Sequence, residues 1–454
     1  MQRLGGEEKG TSTSIRQVVV SSFIGTAIEW YDFLLYGTAA ALVFNQLFFP
    51  SFDPRVGTLL AFATFGGGFF ARPLGGIVFG HYGDRIGRKS MLVLTMVLMG
   101  LATFAIGLLP GYEAIGIWAP GLLVALRFLQ GFAVGGEWGG AVLMAIEHSP
   151  PNRRGLNGCW PQMGAPTGLM LSTIVFALFS SLPEEQFYSW GWRVPFLLSI
   201  VLVGVGLFIR LKILETPAFS RVKETATEAR LPAIEVFRDH PKNVLLSAGS
   251  GLGPQGMLYL LTVFMLSYAT SELGLPRSMV LAGVVIATAI SLVTLPLYAA
   301  LSDRIGRRPV YMGGAVALLL FAFPFFWLVN TGSVVLLWLA FVLGLSVFHA
   351  AMYGPQAAFF SELFGTKTRY TGASLGYQLS AVLGGGLAPF VASSLLAASG
   401  GNITLVALYL AALCLVSLVA VYLATETFRR DVVDEQRQAV GDTATEEDRD
   451  TATT

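Results

Sequence analysis

Long apolar runs separated by short polar breaks dominate the chain. Runs near 20 residues or longer, enough helix to cross about 30 Å of hydrocarbon, occur at 18–47, 57–80, 90–110, 117–147, 157–181 and 191–212. A charged stretch at 213–242 interrupts them, and six more follow at 243–270, 278–300, 310–330, 333–362, 371–398 and 402–424. The pattern predicts an all-α membrane protein with twelve transmembrane helices in two groups of six. Residues 1–16 are polar and Gly-rich, and residues 426–454 are acidic, Thr-rich and without periodicity, so both read as tails and the second as disordered. The expected division is an N-tail at 1–16, a first bundle at 17–212, a linker at 213–242, a second bundle at 243–425 and a C-tail at 426–454.

The polar breaks contain a repeat. Asp84-Arg85-Ile86-Gly87-Arg88-Lys89 returns without a gap as Asp303-Arg304-Ile305-Gly306-Arg307-Arg308, 219 positions later. A second mark agrees with it: Glu147, Arg153 and Gly155 after the fourth run are echoed by Glu362, Arg369 and Gly372 after the tenth. The halves are thus expected to be two parallel copies of one unit, an architecture that forms a substrate site between the copies near mid-membrane. The hinge is not a nucleotide loop of the Gly-x-x-x-x-Gly-Lys-Ser kind, because only three residues separate Gly83 from Gly87 and Arg88 precedes Lys89 where a Gly is needed. It reads instead as a tight turn in which Gly permits the bend and Asp and Arg sit beside helix ends.

Charge fixes the expected orientation, since cytoplasmic loops carry an excess of Lys and Arg. With both termini inside, 24 of the 29 basic residues fall on the cytoplasmic side, only Arg55, Arg193 and Arg277 fall outside, and Arg72 and Arg127 lie within membrane runs. Composition agrees: 54% of residues are apolar, mean hydropathy is +0.65, and 13% are charged against the usual figure of about 25%. A net charge of +1 with no basic patch gives no reason to expect nucleic acid. Cys159 and Cys414 lie in apolar segments of opposite halves and read as packing residues. The first run lacks a small-residue cleavage site and carries two acids, so it reads as a retained helix.

Those intramembrane charges are the candidate chemistry, since each costs on the order of 3 kcal/mol at a helix centre. Glu29 and Asp32 are three residues apart on the first helix, on neighbouring faces near mid-depth. Carboxylates this close disfavour simultaneous ionisation, which suits a group that takes up and releases a proton; the plainer alternative pairs Glu29 with Arg72 or Arg127 to hold the bundle together. Glu137 lies ten residues beyond Arg127, too far along the helix to be its neighbour, so it must answer to another helix. Away from helix ends the second half holds no Asp, Glu, Lys or Arg in its membrane runs, only His349, Gln255, Tyr259, Tyr353, Gln356, Tyr377 and Gln378 as larger polar groups. Tyr353 and Gln356 fall roughly on the face of His349, as a substrate surface or an interhelical contact stripe. The expected division of labour gives protons to the first half and substrate hydrogen bonds to the second. No nucleophile with a base and no metal cluster stands out, so neither an enzyme nor a cofactor is expected.

The span 18–425 resembles the major facilitator superfamily. Glu29-Trp-Tyr-Asp-Phe33, with Tyr31 inside it, Arg72-Pro-Leu-Gly-Gly76, Gly135-Gly-Glu-Trp-Gly-Gly140 and Trp190-Gly-Trp-Arg-Val-Pro-Phe196 are similar to its metabolite:proton symporter branch, and with Ser361-Glu-Leu-Phe-Gly365 look closest to shikimate-type carriers. The resemblance implies proton-driven uptake of a small metabolite by alternating access, with an organic acid as first candidate, a betaine or proline osmolyte as alternative, and a transporter-like sensor as the alternative of another class. It implies a link between Arg127 and proton transfer, and a gate formed by Asp84, Arg85, Arg88, Asp303, Arg304 and Arg307, whose acid braces a helix end of the other half. Ala165 interrupts the Gly-Pro motif of antiporters at Gly164-Ala-Pro166, which favours symport. The expected partners are a small-molecule substrate, protons and the lipid bilayer, with the proton gradient as energy source, in a multi-pass protein of the cytoplasmic membrane working as a monomer.

Overall fold

In the computed structural model the described residues are 15–428, except 87, 136–141, 143–144, 147–148, 212–235, 237, 239 and 365–368. Among them twelve long helices form two groups of six. The first half holds α1 (Ile15–Leu42), α2 (Pro54–Ile86), α3 (Arg88–Leu108), α4 (Trp118–Val134), α5 (Arg154–Ser180) and α6 (Gly191–Phe208). The second holds α7 (Pro241–Glu272), α8 (Arg277–Ile305), α9 (Arg307–Asn330), α10 (Val334–Glu362), α11 (Thr371–Ala398) and α12 (Thr404–Leu423). Helix is what apolar runs of this length must form, because lipid offers the backbone no hydrogen bonds of its own. Leu320, Trp327 and Val335 project outward without protein cover, as a lipid-facing surface allows.

Glycine decides how closely the helices approach. α2 and α4 cross with their backbones in contact: a Cβ on Gly131 would overlap the main-chain oxygen of Gly68, one on Gly75 that of Phe132, and one on Gly135 that of Arg72. Between the halves, α1 packs on α7, α2 on α11, and α5 on both α8 and α10. Gly385 and Gly386 of α11 admit the rings of Tyr259 and Phe69 there. Gly306, with φ at 104°, makes the turn from α8 to α9 that a side chain would strain.

Two features depart from the sequence reading. Segments Leu260–Phe264 and Tyr268–Glu272 of α7, Val342–His349 of α10 and Ala381–Gly386 of α11 are π-helical, a local widening that a 3.6-residue period does not foresee. The tail does not leave the fold at residue 426 as expected. The Glu426 carboxylate accepts hydrogen bonds from the Arg307 and Arg308 main-chain N–H groups, both at 3.1 Å, and so caps α9. The Thr427 hydroxyl donates to Glu362 at 2.6 Å. A helix N-terminus with unsatisfied N–H groups is what draws the acid in.

The α2–α4 crossing yields a paired test. Gly121 on α4 has nothing within 4 Å of an added Cβ, so Gly121→Ala should leave the melting midpoint of the detergent-purified protein unchanged or slightly raised. Gly131→Ala on the same helix should cost about 1–3 kcal/mol or more and lower that midpoint by several degrees.

Candidate functional site

The charged side chains converge where α2 and α4 cross behind α1. The Arg72 guanidinium lies 4.0 Å from the Phe33 ring centre and 4.3 Å from that of Phe69. The Arg127 guanidinium lies 3.8 Å from Phe33, 4.3 Å from Tyr36 and 4.7 Å from Phe65. Phe33 thus holds both cations at its ring. Among the described residues neither arginine has a carboxylate within ion-pair distance, so the plainer alternative, Glu29 paired with Arg72 or Arg127, is not formed. Aromatic faces take its place, and a desolvated cation–π contact is worth about 2 kcal/mol or more.

The two arginines serve different surroundings. Arg127 turns into the first half, where it donates to the Gln130 side-chain oxygen at 2.6 Å. Gln130 in turn donates to the Asp32 main-chain oxygen at 3.1 Å and to the Thr103 hydroxyl at 2.8 Å. The Asp32 carboxylate is 0% exposed and lies beside the Thr103 hydroxyl. Arg72 turns the other way, toward Tyr259, Tyr353 and Tyr377 of the second half. It lines a cavity of about 30 Å³ together with Thr26, Glu29, Trp30 and Phe33 of α1, Val134 of α4, Pro161 of α5, and Tyr377 and Gln378 of α11. Such a space takes about one or two waters and no metabolite.

The hinge between α8 and α9 closes one end. Both Asp303 carboxylate oxygens accept hydrogen bonds at 2.9 Å from the N–H groups of Gly155 and Leu156, at the N-terminus of α5 in the other half. Arg307 donates to Asp303 at 2.6 Å and reaches Glu362 at 3.2 Å. Gly155 is needed for this approach, since a Cβ there would meet the Ala299 main-chain oxygen and the Asp303 carboxylate, each at 2.8 Å. A carboxylate on a helix N-terminus gains from both the open donors and the helix dipole.

A duplicated twelve-helix bundle latched through this hinge invites comparison with known proteins. The Major Facilitator Superfamily profile matches residues 22–389. The chain belongs to the major facilitator superfamily. It is 45% identical over 419 residues to the shikimate transporter of Escherichia coli K12, across 91% of this chain and 95% of that one. It is 42% identical over 431 residues to the inner membrane metabolite transport protein YhjE of the same organism, across 93% and 97%. Among solved structures, a D-xylose-proton symporter matches in fold with a TM-score of 0.70 at 18% identity, across 91% and 99%. This member of the major facilitator superfamily is a multi-pass membrane transporter and not an enzyme.

The remaining candidates of this facilitator-superfamily transporter lie in different places. Gln378 donates to the Gly135 main-chain oxygen at 3.2 Å and so spans the two halves beside the cavity. His349 stacks on Tyr353 at 5.2 Å and both are buried. Gln356 donates to the Tyr311 hydroxyl at 3.4 Å within the second half, as a packing contact. Tyr31 requires a correction: its hydroxyl donates to the Pro195 carbonyl at 2.9 Å and ties α1 to the start of α6, away from the cavity. Arg304 is exposed at the end of α8. Glu137 and the side chains of Asp84, Arg85 and Arg88 lie outside the described residues. Sequence reasoning missed Thr103, Gln130 and the ring of Phe33. Gln130 had a usable signal, three residues beyond Arg127 on one helical face; Thr103, on another helix, had none.

Cys159 reports on the latch, because it is buried in α5 next to Asp303 and Tyr353 of the other half. In a Cys414→Ser background, Asp303→Ala should raise its alkylation rate by about tenfold, the effect of losing roughly 1.4 kcal/mol of closure. An unchanged rate would mean that Asp303 does not hold this end shut.

Proposed function

We propose that this transporter is a proton-coupled symporter that takes up a small organic anion, with shikimate or a dicarboxylate as first candidate, across the cytoplasmic membrane. The hinge end is assigned to the cytoplasm by the 24-to-3 excess of basic residues there. The observation that carries the reading is Arg72: a buried guanidinium at the boundary of the halves, beside a cavity, with aromatic rings where a carboxylate would be expected. An arginine is permanently charged and its planar fork matches a carboxylate. A substrate carboxylate would complete it, with Gln378 and the tyrosines of the second half supplying hydrogen bonds. The buried Asp32 carboxylate, on the residue whose main-chain oxygen Gln130 ties to Arg127, is the first-choice site for the coupled proton.

The betaine alternative needs open aromatic faces for a quaternary ammonium. Here Arg72 already covers Phe33 and Phe69. The similarity to a shikimate transporter points the same way. Net flux in liposomes separates a carrier from a metabolite sensor.

Proteoliposomes with an imposed pH gradient, acidic outside, should accumulate labelled shikimate and collapse the accumulation when an uncoupler is added. Arg72→Gln should lower uptake by about 100-fold, as expected for losing a buried charge-assisted contact. Asp32→Asn should abolish gradient-driven accumulation while leaving binding of shikimate intact. Uptake indifferent both to the uncoupler and to Asp32→Asn would remove proton coupling from the account.

A further inference from the structure

At the end remote from the Asp303 latch, a cavity of about 250 Å³ opens between the halves, lined by both α2 of the first and α7 and α11 of the second. Its size suits a small metabolite rather than a drug-sized ligand of about 300–1,000 Å³. Three features of its wall point to one chemistry. Arg55 of α2 is paired with Glu272 of α7 at 3.3 Å, across the boundary between the halves, and Arg55 is 62% exposed, so the pair can exchange partners with solutes. The hydroxyls of Ser267, Ser271 and Ser393 line the same space and make no hydrogen bond among the described residues. Many other helix serines here, such as Ser172 and Ser291, return their hydroxyls to the preceding turn. Leu59, Phe264 and Leu396 supply an apolar floor.

We propose that this cavity is a second binding site for a small hydroxylated organic anion, whose carboxylate takes the place of Glu272 on Arg55 and whose hydroxyls meet Ser267, Ser271 and Ser393. The proposal rests on the reading of the cargo as an organic anion. Occupancy has a mechanical consequence: it dissolves an ion pair that joins the halves at this end, so arrival of cargo favours opening toward the central cavity. The Arg277–Glu184 pair, 3.7 Å apart across the same boundary, stands outside the cavity and is left intact.

Equilibrium binding of labelled shikimate to the full-length protein in detergent tests this, with Arg55→Gln, Glu272→Gln and Arg72→Gln compared after their melting midpoints are matched to the wild type. The expected result is two phases. Arg55→Gln removes the weaker phase, weakening it at least about tenfold, and spares the tighter one. Glu272→Gln, which removes the competing carboxylate, tightens the weaker phase about two- to fivefold, the worth of an exposed ion pair. Arg72→Gln removes only the tighter phase. A single phase sensitive to Arg72→Gln and untouched by the other two variants overturns the second site and leaves the central reading standing. A single phase lost in Arg55→Gln and kept in Arg72→Gln establishes the second site and overturns the central one. No saturable binding overturns both.

Discussion

Two guanidinium groups buried around one phenylalanine ring set the terms for the rest of the first half. A charge removed from water costs several kcal/mol unless something replaces its hydration. Here Phe33, Phe65, Phe69 and Tyr36 do part of that work and Gln130 more. The glycines of the α2–α4 crossing belong to the same arrangement. Gly68 abuts the Arg127 side chain, with its Nε 2.7 Å from where a Cβ would lie, and Gly135 abuts the Arg72 backbone. Bringing the backbones into contact is what places two cations from different helices at one ring, one facing the half's interior and the other the gap between halves.

The two ends of the molecule are held shut by unequal means. At the hinge end a carboxylate is clamped between a helix N-terminus and a buried arginine, and that arginine is held in turn by Glu362, which Thr427 also contacts. Each member satisfies its neighbour, so the set is lost or kept together. At the other end, among the described residues, two side-chain pairs cross the boundary, Arg55–Glu272 and Arg277–Glu184, and each has a largely exposed member. Exposed pairs contribute about 0–1 kcal/mol. In ion pairs alone, the end remote from the hinge is the more weakly fastened.

Much of this was legible in the chain. Runs of some 20 apolar residues specify helices almost without alternatives in lipid, and a gapless repeat of six residues specifies the duplication. That the hinge acid braces a helix end of the other half was implied by the family resemblance; that the end is the N-terminus of α5, at Gly155 and Leu156, came only with the structure. The hidden part depends on contacts between distant segments. Tyr31 stands within one residue of Asp32, yet its hydroxyl is claimed by Pro195, 164 residues away. Arg72 invited a carboxylate and received rings: Phe69 stands three residues before it on its own helix, but Phe33 reaches it only once α1 and α2 are packed. Glu426 looked like part of an acidic, unstructured tail, and nothing local marks it as the cap of α9. The π-helical turns of α7, α10 and α11 likewise arise from packing and leave the apolar pattern unbroken.

Those π-helical turns lie close to the residues with which the second half meets the first. Leu260–Phe264 follows Tyr259 directly, Val342–His349 ends four residues before Tyr353, and Ala381–Gly386 begins three after Gln378. A π turn leaves main-chain bonds less well aligned than an α turn and shifts the register of the helix beyond it, so these helices are the ones able to bend without losing their place in the bundle. The half that carries charge has its arginines fixed by rings and backbone contacts, while the uncharged half has its polar groups on helices built to yield. If an anion is drawn to Arg72, the guanidinium need not travel, since Tyr259, Tyr353, Tyr377 and Gln378 can be brought to the ligand by flexing α7, α10 and α11. A rigid charged wall facing a compliant neutral one lets a carrier recognise its cargo without moving a buried charge through lipid, the step that would cost it most.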